Sequence, residues 1–82
     1  MLNVEIISPA GVIFHGECLM AVVPSITGEI GVMQGHEAFI ATLAQGTVKI
    51  YNDRQEITKE IEVTGGFAEI SDDKKLVVLL DS

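Results

Sequence analysis

The side chains in this chain that could do chemistry are two histidines, one cysteine, and the carboxylates and glycines near them. Residues 36–40 read H-E-A-F-I and begin like the H-E-x-x-H motif of zinc proteases, in which two histidines bind the metal. Ile40 stands where the second ligand is needed, and the segment has the pattern of a strand rather than a helix. His15 is the only other imidazole, so we predict that His15 and His36 form hydrogen bonds beside glycine turns and bind no metal.

The lone thiol and the glycines offer no better site. Cys18 lies beside Glu17 and apolar residues, a setting that raises the pKa of a thiol, and we expect it to be buried and unreactive. As the only cysteine it also excludes an internal disulfide and favours a reducing, intracellular compartment. Gly28, Gly31 and Gly35 match neither G-x-G-x-x-G nor a P-loop with its lysine. The sequence therefore predicts no catalytic residue, no metal site and no cofactor.

A lysine-bearing turn keeps one alternative open. Asp72, Asp73, Lys74 and Lys75 form a charged turn before a final apolar segment, and lipoyl or biotinyl carrier domains present a modified lysine at such a turn. Those carriers place a single lysine between particular neighbours, whereas this turn has two lysines side by side. A free-standing carrier or small-ligand-binding β domain is therefore the second functional hypothesis, and a solvated charged turn is the simpler interpretation.

The charge balance argues against two kinds of partner. Twelve acidic residues against five basic ones give a formal net charge of −7. Because Lys and Arg supply most of the affinity for nucleic acids and for anionic headgroups, we expect no nucleic acid and no direct lipid insertion. The apolar fraction of 48% and the mean hydropathy of +0.40 exceed what one thin core requires, so part of the apolar surface is expected to face a protein partner.

The length and the two ends indicate one soluble unit. A chain of 82 residues is expected to form a single domain over residues 1–82. The N-terminus lacks the basic and apolar regions of a signal peptide, and the longest apolar run, residues 76–80, is too short to span a bilayer.

Alternating apolar and polar residues predict strands along the whole chain. Residues 2–8 alternate, and residues 56–64 alternate most clearly, with Ile57, Ile61 and Val63 expected to point inward and a bulge or strand end expected at Lys59. Further strands are expected at residues 12–14, 17–23, 39–44, 47–51, 67–71 and 75–80.

Turn residues set the expected breaks between these strands. His15-Gly16 is expected to form a turn or a bulge, and Pro24 to end the strand before it. Gln45-Gly46 is expected to close a hairpin between residues 39–44 and 47–51. Residues 18–23 are apolar on both faces, which predicts burial inside an assembly or beneath a partner. The glycine-rich stretch 27–46 is expected to form a shaped corner rather than a plain hairpin. The fold class is therefore all-β: an antiparallel flattened β-sandwich or barrel of about ten short strands.

That glycine-rich stretch also resembles a known family. Glu29-Ile30-Gly31-Val32, then Gly35-His36 and an apolar run ending near Leu43, is similar to the G-E-[LFM]-G-[IV]-x-P-[GN]-H signature of the epsilon subunit of F-type ATP synthases. Matching segments at residues 4–9, 46–50, 65–70 and 77–81 occur in the family's order and spacing. The resemblance covers nearly the whole chain.

The resemblance implies a ten-stranded flattened β-sandwich and a non-catalytic role in the rotor. The domain would pack on the gamma subunit and rest on the polar loops of the c-ring, as a peripheral protein at the cytoplasmic face of the bacterial inner membrane or the equivalent face of an organelle. By position, the ring contact maps to Ser25, Ile26, Thr27, Gly28, Glu29, Ile30 and Gly31, with Glu29 at the tip. Contact with gamma, or support for it, maps to His36, Phe39, Ile40, Met20, Val22, Val77 and Leu79.

Two departures from the family pattern accompany the match. Gln34 and Ala38 replace prolines that are common in this corner, which predicts a less rigid backbone there. Relatives continue beyond the position of Ser82 into a C-terminal helical hairpin that carries the family's inhibitory action. The sequence is compatible with a fragment of a longer chain and with a naturally short form.

Overall fold

The computed structural model of this chain describes residues 1–71 and 75–82, and the expected turn at Asp72-Asp73 lies outside them, as does Lys74. The described residues form strands and no helix. The nine strands are β1 (Leu2–Ser8), β2 (Gly11–Cys18), β3 (Met20–Ser25), β4 (Gly28–Met33), β5 (Phe39–Leu43), β6 (Gly46–Tyr51), β7 (Ile57–Val63), β8 (Gly66–Ile70) and β9 (Lys75–Leu80). The predicted all-β fold is confirmed.

The nine strands belong to one sheet that folds over on itself. Its path runs β2-β1-β9-β8-β5-β3-β6-β7, and β4 pairs with the free side of β3. At the fold between β5 and β3 only Ser25 and Leu43 are paired. We call β2-β1-β9-β8-β5 the first wall and β4-β3-β6-β7 the second wall. All pairs are antiparallel except β1 and β9, which run parallel in the middle of the first wall.

Alternate side chains of both walls meet in one core. The first wall contributes residues such as Val4, Ile6 and Val78, and the second wall contributes Val23 and Ile50, all at most 2% exposed. The predicted inward set of β1 is confirmed, because Leu2, Val4 and Ile6 are buried while Asn3 is exposed. Burying this apolar surface is the main source of stability for the domain.

The pairing of β5 and β6 differs from the sequence expectation. Gln45-Gly46 closes no hairpin, because β5 pairs with β8 and β6 pairs with β7. Ala44 N donates to Pro24 O at 2.9 Å, which holds the chain where it crosses from the first wall to the second. Adjacent strands in sequence are separated here because each must cover a different side of the core.

Three local expectations at strand positions were wrong. His15 and Gly16 are regularly paired within β2 instead of forming a turn or a bulge, and the irregularity of β2 falls between residues 12 and 14. Pro24 continues β3 to Ser25, because its pair with Glu29 is one without hydrogen bonds and the β3–β4 ladder needs no N–H from Pro24. Ile57 is 45% exposed and does not point inward, since the register slips beside it.

Other local expectations held in part. Lys59 pairs with Ile50 and Ile57 with Tyr51, so Thr58 is the extra residue of a bulge beside the predicted position. Within residues 18–23, Ala21 and Val23 are buried whereas Met20 and Val22 are only half-buried, so one face of β3 remains partly open.

Candidate interaction site

The loop predicted to contact the ring is the hairpin turn between β3 and β4. Ser25 pairs with Gly28, which leaves Ile26 and Thr27 as a two-residue turn, and Gly28 has a φ of 122°. This turn is a plain hairpin, and within the stretch 27–46 that was expected to form a shaped corner the corner lies at residues 34–38, where Gly35 has a φ of 90°. Glycine is favoured at both positions because a Cβ atom clashes with the backbone at positive φ.

The side chain of Ser25 builds this turn from inside. Its hydroxyl donates to Gly28 O at 2.6 Å, accepts from Thr27 N at 3.2 Å and lies 3.0 Å from Thr27 Oγ1. Ser25 is 6% exposed, so its role in the described structure is to hold the loop. The surface of the turn is presented by its neighbours, of which Ile26 is 68% exposed and Glu29 is also exposed. Ile30 is half-buried and Gly31 is exposed.

His36 and Phe39 support the corner between β4 and β5. The two rings lie 5.0 Å apart at an angle of 55°, and His36 Nδ1 lies 2.8 Å from Glu37 O. His36 N also donates to Met33 O at 3.1 Å. His36 therefore has the hydrogen-bonding role beside a glycine turn that its sequence context predicts. The neighbouring Ile40 is 71% exposed.

The predicted gamma-contact residues divide between the two walls. Val77 and Leu79 lie on the outer face of β9, since the alternate residues Leu76 and Val78 are buried. Ile40 belongs to the same face, because Ile40 pairs with Glu69 and Glu69 with Val77. Met20 and Val22 lie on the outer face of β3, in the opposite wall. One flat partner surface cannot cover both sets.

Cross-strand register reveals an apolar row of which the sequence analysis named only Leu79. Val12 pairs with Ile7, Ile7 with Leu79, and Leu79 with Phe67, so four apolar side chains lie side by side across β2, β1, β9 and β8. We call these residues the first-wall row. Val12 is 52%, Leu79 47% and Phe67 54% exposed. Each residue alone is an ordinary apolar strand position, and only the strand pairing shows that they are neighbours.

A similar row crosses the second wall. It consists of Met33, Met20, Tyr51 and Ile57, which pair in that order across β4, β3, β6 and β7. Met20, Met33 and Tyr51 of this row line a shallow groove of about 330 Å³ together with Leu19 and Gln55. This second-wall row was likewise missed except for Met20.

The remaining candidates for chemistry are structural. Cys18 is 1% exposed, and this burial raises the pKa of its thiol, although the N-terminal ammonium group opposes the shift. His15 lies opposite Glu5, whose Oε1 lies 3.0 Å from Lys75 Nζ. Among residues 1–71 and 75–82, no group of three His, Cys, Asp or Glu side chains is placed to hold a metal ion. In the same residues no helix is long and apolar enough to cross a membrane.

Two solved ATP synthase structures contain a chain with this fold. The chain superposes on a chain in the cryo-EM structure of the Euglena gracilis mitochondrial ATP synthase with a TM-score of 0.87 at 21% identity, covering 99% of this chain and 51% of that one. A chain of the Tetrahymena thermophila mitochondrial ATP synthase central stalk and c-ring gives a TM-score of 0.78 at 16% identity, covering 99% and 63%. At these identities the match establishes the fold.

The curated sequence relatives match this chain at higher sequence identity than these two structures do. The chain is 34% identical over 79 residues to the ATP synthase epsilon chain of Campylobacter jejuni, covering 95% of this chain and 60% of the relative. It is 37% identical over 76 residues to that of Granulibacter bethesdensis, covering 93% and 56%. The chain thus spans less than two thirds of the length of these curated relatives. The family model for the β-sandwich domain of the ATP synthase Delta/Epsilon chain matches residues 1–82, and the chain belongs to this family.

Proposed function

We propose that this chain is a non-catalytic stalk component of an F-type ATP synthase, which packs on the gamma subunit and contacts the polar loops of the c-ring. The observation that carries the proposal is the family match over residues 1–82 together with the exposed first-wall row. A subunit that transmits torque needs an interface rather than a reaction centre, and exposed apolar side chains in register supply the centre of such an interface.

The first wall is the better candidate for the gamma contact. Its outer face carries Leu79 and Ile40, and Ile40 lines a groove with Ile26 and Thr27 of the β3–β4 turn. The apolar face and the proposed ring-contacting loop are therefore continuous around Ile40. A partner complex that presents gamma and the ring side by side would meet one unbroken surface here.

The ring contact is proposed for the exposed part of residues 25–31. Glu29 is an exposed residue of a short hairpin whose shape is fixed by Ser25 and Gly28, so the backbone that carries its carboxylate is held in one conformation. An exposed carboxylate suits a contact with polar ring loops and adds orientation more than affinity. Residues 1–82 are proposed to act as a single domain, placed peripherally at the face of the coupling membrane that carries the catalytic head.

The carrier hypothesis finds less support. Lys75 lies within β9 and forms an ion pair with Glu5, so its amine is not presented at a free turn. Lys74 lies outside the described residues. Intact mass after expression in the native host tests this alternative, because a lipoyl or biotinyl adduct would contradict the stalk function.

Sedimentation of the 82-residue chain with the gamma subunit of its own organism tests the proposal directly. We expect a one-to-one complex at micromolar concentrations, with modest salt dependence because apolar burial drives the contact. Each protein sedimented alone is the control. Separate sedimentation of the two proteins in the mixture would contradict the proposed function.

A further inference from the structure

The outer edge of β4 is an open row of hydrogen-bonding groups. Pro24 O accepts a hydrogen bond from Ala44 N on the side of β3 that faces away from β4, and Pro24 has no N–H. Its pair with Glu29 of β4 is therefore one without hydrogen bonds. Antiparallel pairs alternate, and Gly31 and Met33 therefore also direct their backbone groups away from β3. Met33 O accepts from His36 N, which agrees with this assignment.

Within the described residues, β4 pairs only with β3. The N–H and C=O of Glu29 and Gly31 and the N–H of Met33 are thus left without a backbone partner in that part of the chain. All three residues are exposed. Gly31 also has no side chain, which lets another backbone approach closely at the middle of the edge.

An apolar groove lies beside this edge. Ile30 points inward from β4 and lines this groove together with Phe39, Ile40 and Ala41 of β5. The groove has a volume of about 320 Å³. A strand added to β4 would alternate its side chains, and those pointing inward would lie over this groove. Backbone hydrogen bonds along an edge, combined with a pocket for alternate side chains, are the two elements of β-strand addition.

The charges around the edge indicate the chemistry of the occupant. Glu29 lies on the outer face of the edge, and Glu37 lies in the turn leading to Phe39; both are exposed, and neither is within ion-pair distance of a basic group in the described residues. The whole chain carries −7. The complementary strand has basic residues on its outward face and apolar residues on its inward face.

The other two edges of the sheet are less suited to accept a strand. β2 is irregular between residues 12 and 14, and β7 has a bulge at Thr58 followed by Lys59, which stands opposite the buried Ile50. Bulges and charges at inward positions hinder pairing with a further strand. β4 has a regular register along its whole length.

We infer that β4 binds an extended segment of a protein partner by strand addition, with basic side chains toward Glu29 and apolar side chains in the groove beside Ile30. The inference deepens the proposed function, on which it rests for the existence of a protein partner. It assigns to the edge from Gly28 to Met33 a mode of contact that the Glu29 carboxylate alone does not supply.

A synthetic hexapeptide tests this inference. The probe is Lys-Ile-Lys-Val-Lys-Val with blocked ends, titrated into the 15N-labelled chain and followed by amide chemical shifts and hydrogen exchange. We expect saturable shifts at Glu29, Gly31 and Met33 with slowed exchange of their amides. The matched probe with Glu in place of every Lys is expected to bind about tenfold more weakly or worse.

Two substitutions at one position separate the backbone contact from the side chain. Gly31→Pro removes the outward N–H and is expected to lower affinity at least about tenfold, whereas Gly31→Ala keeps the N–H and is expected to stay within about threefold. Chemical synthesis with an N-methyl group on Gly31 removes the same donor without fixing φ, and it replaces the proline variant if that variant does not fold.

Three results would overturn the inference: peptide shifts confined to the outer faces of the walls, unchanged affinity after N-methylation of Gly31, or a dimer of the chain that forms through β4 without peptide. Sedimentation with the gamma subunit is scored separately. Peptide binding without a gamma complex would count against the proposed function alone, and a gamma complex without peptide binding would count against strand addition alone.

Discussion

Gly46 packs against the ring of Pro24 so closely that a Cβ atom on Gly46 would stand 2.8 Å from Pro24 Cβ. The contact lies where the chain crosses β3 between the two walls, next to the hydrogen bond from Ala44 N to Pro24 O. A residue with a side chain would force these two backbones apart. The glycine is needed here for close approach, whereas Gly28 and Gly35 are needed for positive φ.

Gly46→Ala is therefore expected to destabilise the domain by about 1–3 kcal/mol, because the rigid proline ring cannot move aside. The measurement is urea unfolding at neutral pH. Gly31→Ala is the control, since its added methyl would meet only the flexible Met20 Sδ at 3.4 Å. Equal losses in the two variants would contradict the importance of the Pro24 contact.

Replacement of Gln55 by glycine is expected to stabilise the chain by about 1 kcal/mol. Gln55 has a φ of 63° in the β6–β7 loop, where Gln55 N donates to Asn52 O at 3.0 Å and fixes the conformation. Glycine adopts this left-handed conformation without the Cβ clash. Gln55→Ala retains the Cβ atom and should give no gain in thermal or urea unfolding. A gain of similar size from alanine would show that backbone strain is not the cause.

The two walls can be distinguished by a matched pair of substitutions. Leu79 and Ile57 are 47% and 45% exposed, but Leu79 lies in the first-wall row and Ile57 in the second-wall row. Leu79→Asp is expected to weaken the gamma complex at least about tenfold, because a charge would be buried at the centre of the interface. Ile57→Asp is expected to leave the affinity for the gamma subunit within about threefold of the wild-type value. The reverse order, measured by sedimentation with folded variants, would move the gamma contact to the second wall.

Glu29→Lys is expected to leave gamma binding unchanged while weakening attachment to the ring. Glu29 lies at the exposed turn end of β4, so the charge reversal in Glu29→Lys is expected to change the free energy of unfolding little. Glu60→Lys makes the same change in net charge on β7, away from the loop, and serves as the control. The measurement is retention of the stalk on purified c-ring at two salt concentrations. Loss of gamma binding by a folded Glu29→Lys variant would contradict the placement of the loop.

Stability is expected to fall at alkaline pH because of Cys18. Burial raises the pKa of its thiol above the ordinary value of 9.0, so the unfolded state releases the proton before the folded state does. The folded state then binds more protons, and the free energy of unfolding decreases as pH rises from about 9 through the folded pKa. Urea unfolding of the wild type and of Cys18→Ala under reducing conditions measures the difference between their free energies of unfolding. This difference should narrow above pH 9. A constant difference would contradict the prediction.

Sequence patterns predict the strands of this fold better than their pairing. Alternation identified the buried side of β1, where Leu2 and Val4 face the core. It placed β5 and β6 in one hairpin, because alternation records which face is apolar and not which strand lies alongside. The Pro24–Gly46 contact that separates them involves residues more than twenty positions apart and leaves no local signal.

The candidate site likewise has one part that the sequence predicts and another part that depends on strand pairing. Glu29 and the glycines that shape its turn stand in a contiguous motif, and their exposure agrees with a loop at the surface. The first-wall row depends on the register of Ile7, Leu79 and Phe67 across three strands. Each residue is unremarkable in its own segment. Strand register, which single-sequence alternation does not determine, is therefore the information that was missing.

The parallel pairing of β1 with β9 has a consequence for how the chain acquires its structure. Val4 and Ile6 lie beside Leu76 and Val78, so β1 has as one of its two neighbours the strand that is farthest from it in sequence among the nine. Contacts of such sequence separation form slowly, because a long loop must close before they contribute any stability. During synthesis on the ribosome, β1 and β2 must wait as an incomplete hairpin until β9 has emerged, so the first wall closes only when the last of these nine strands is available.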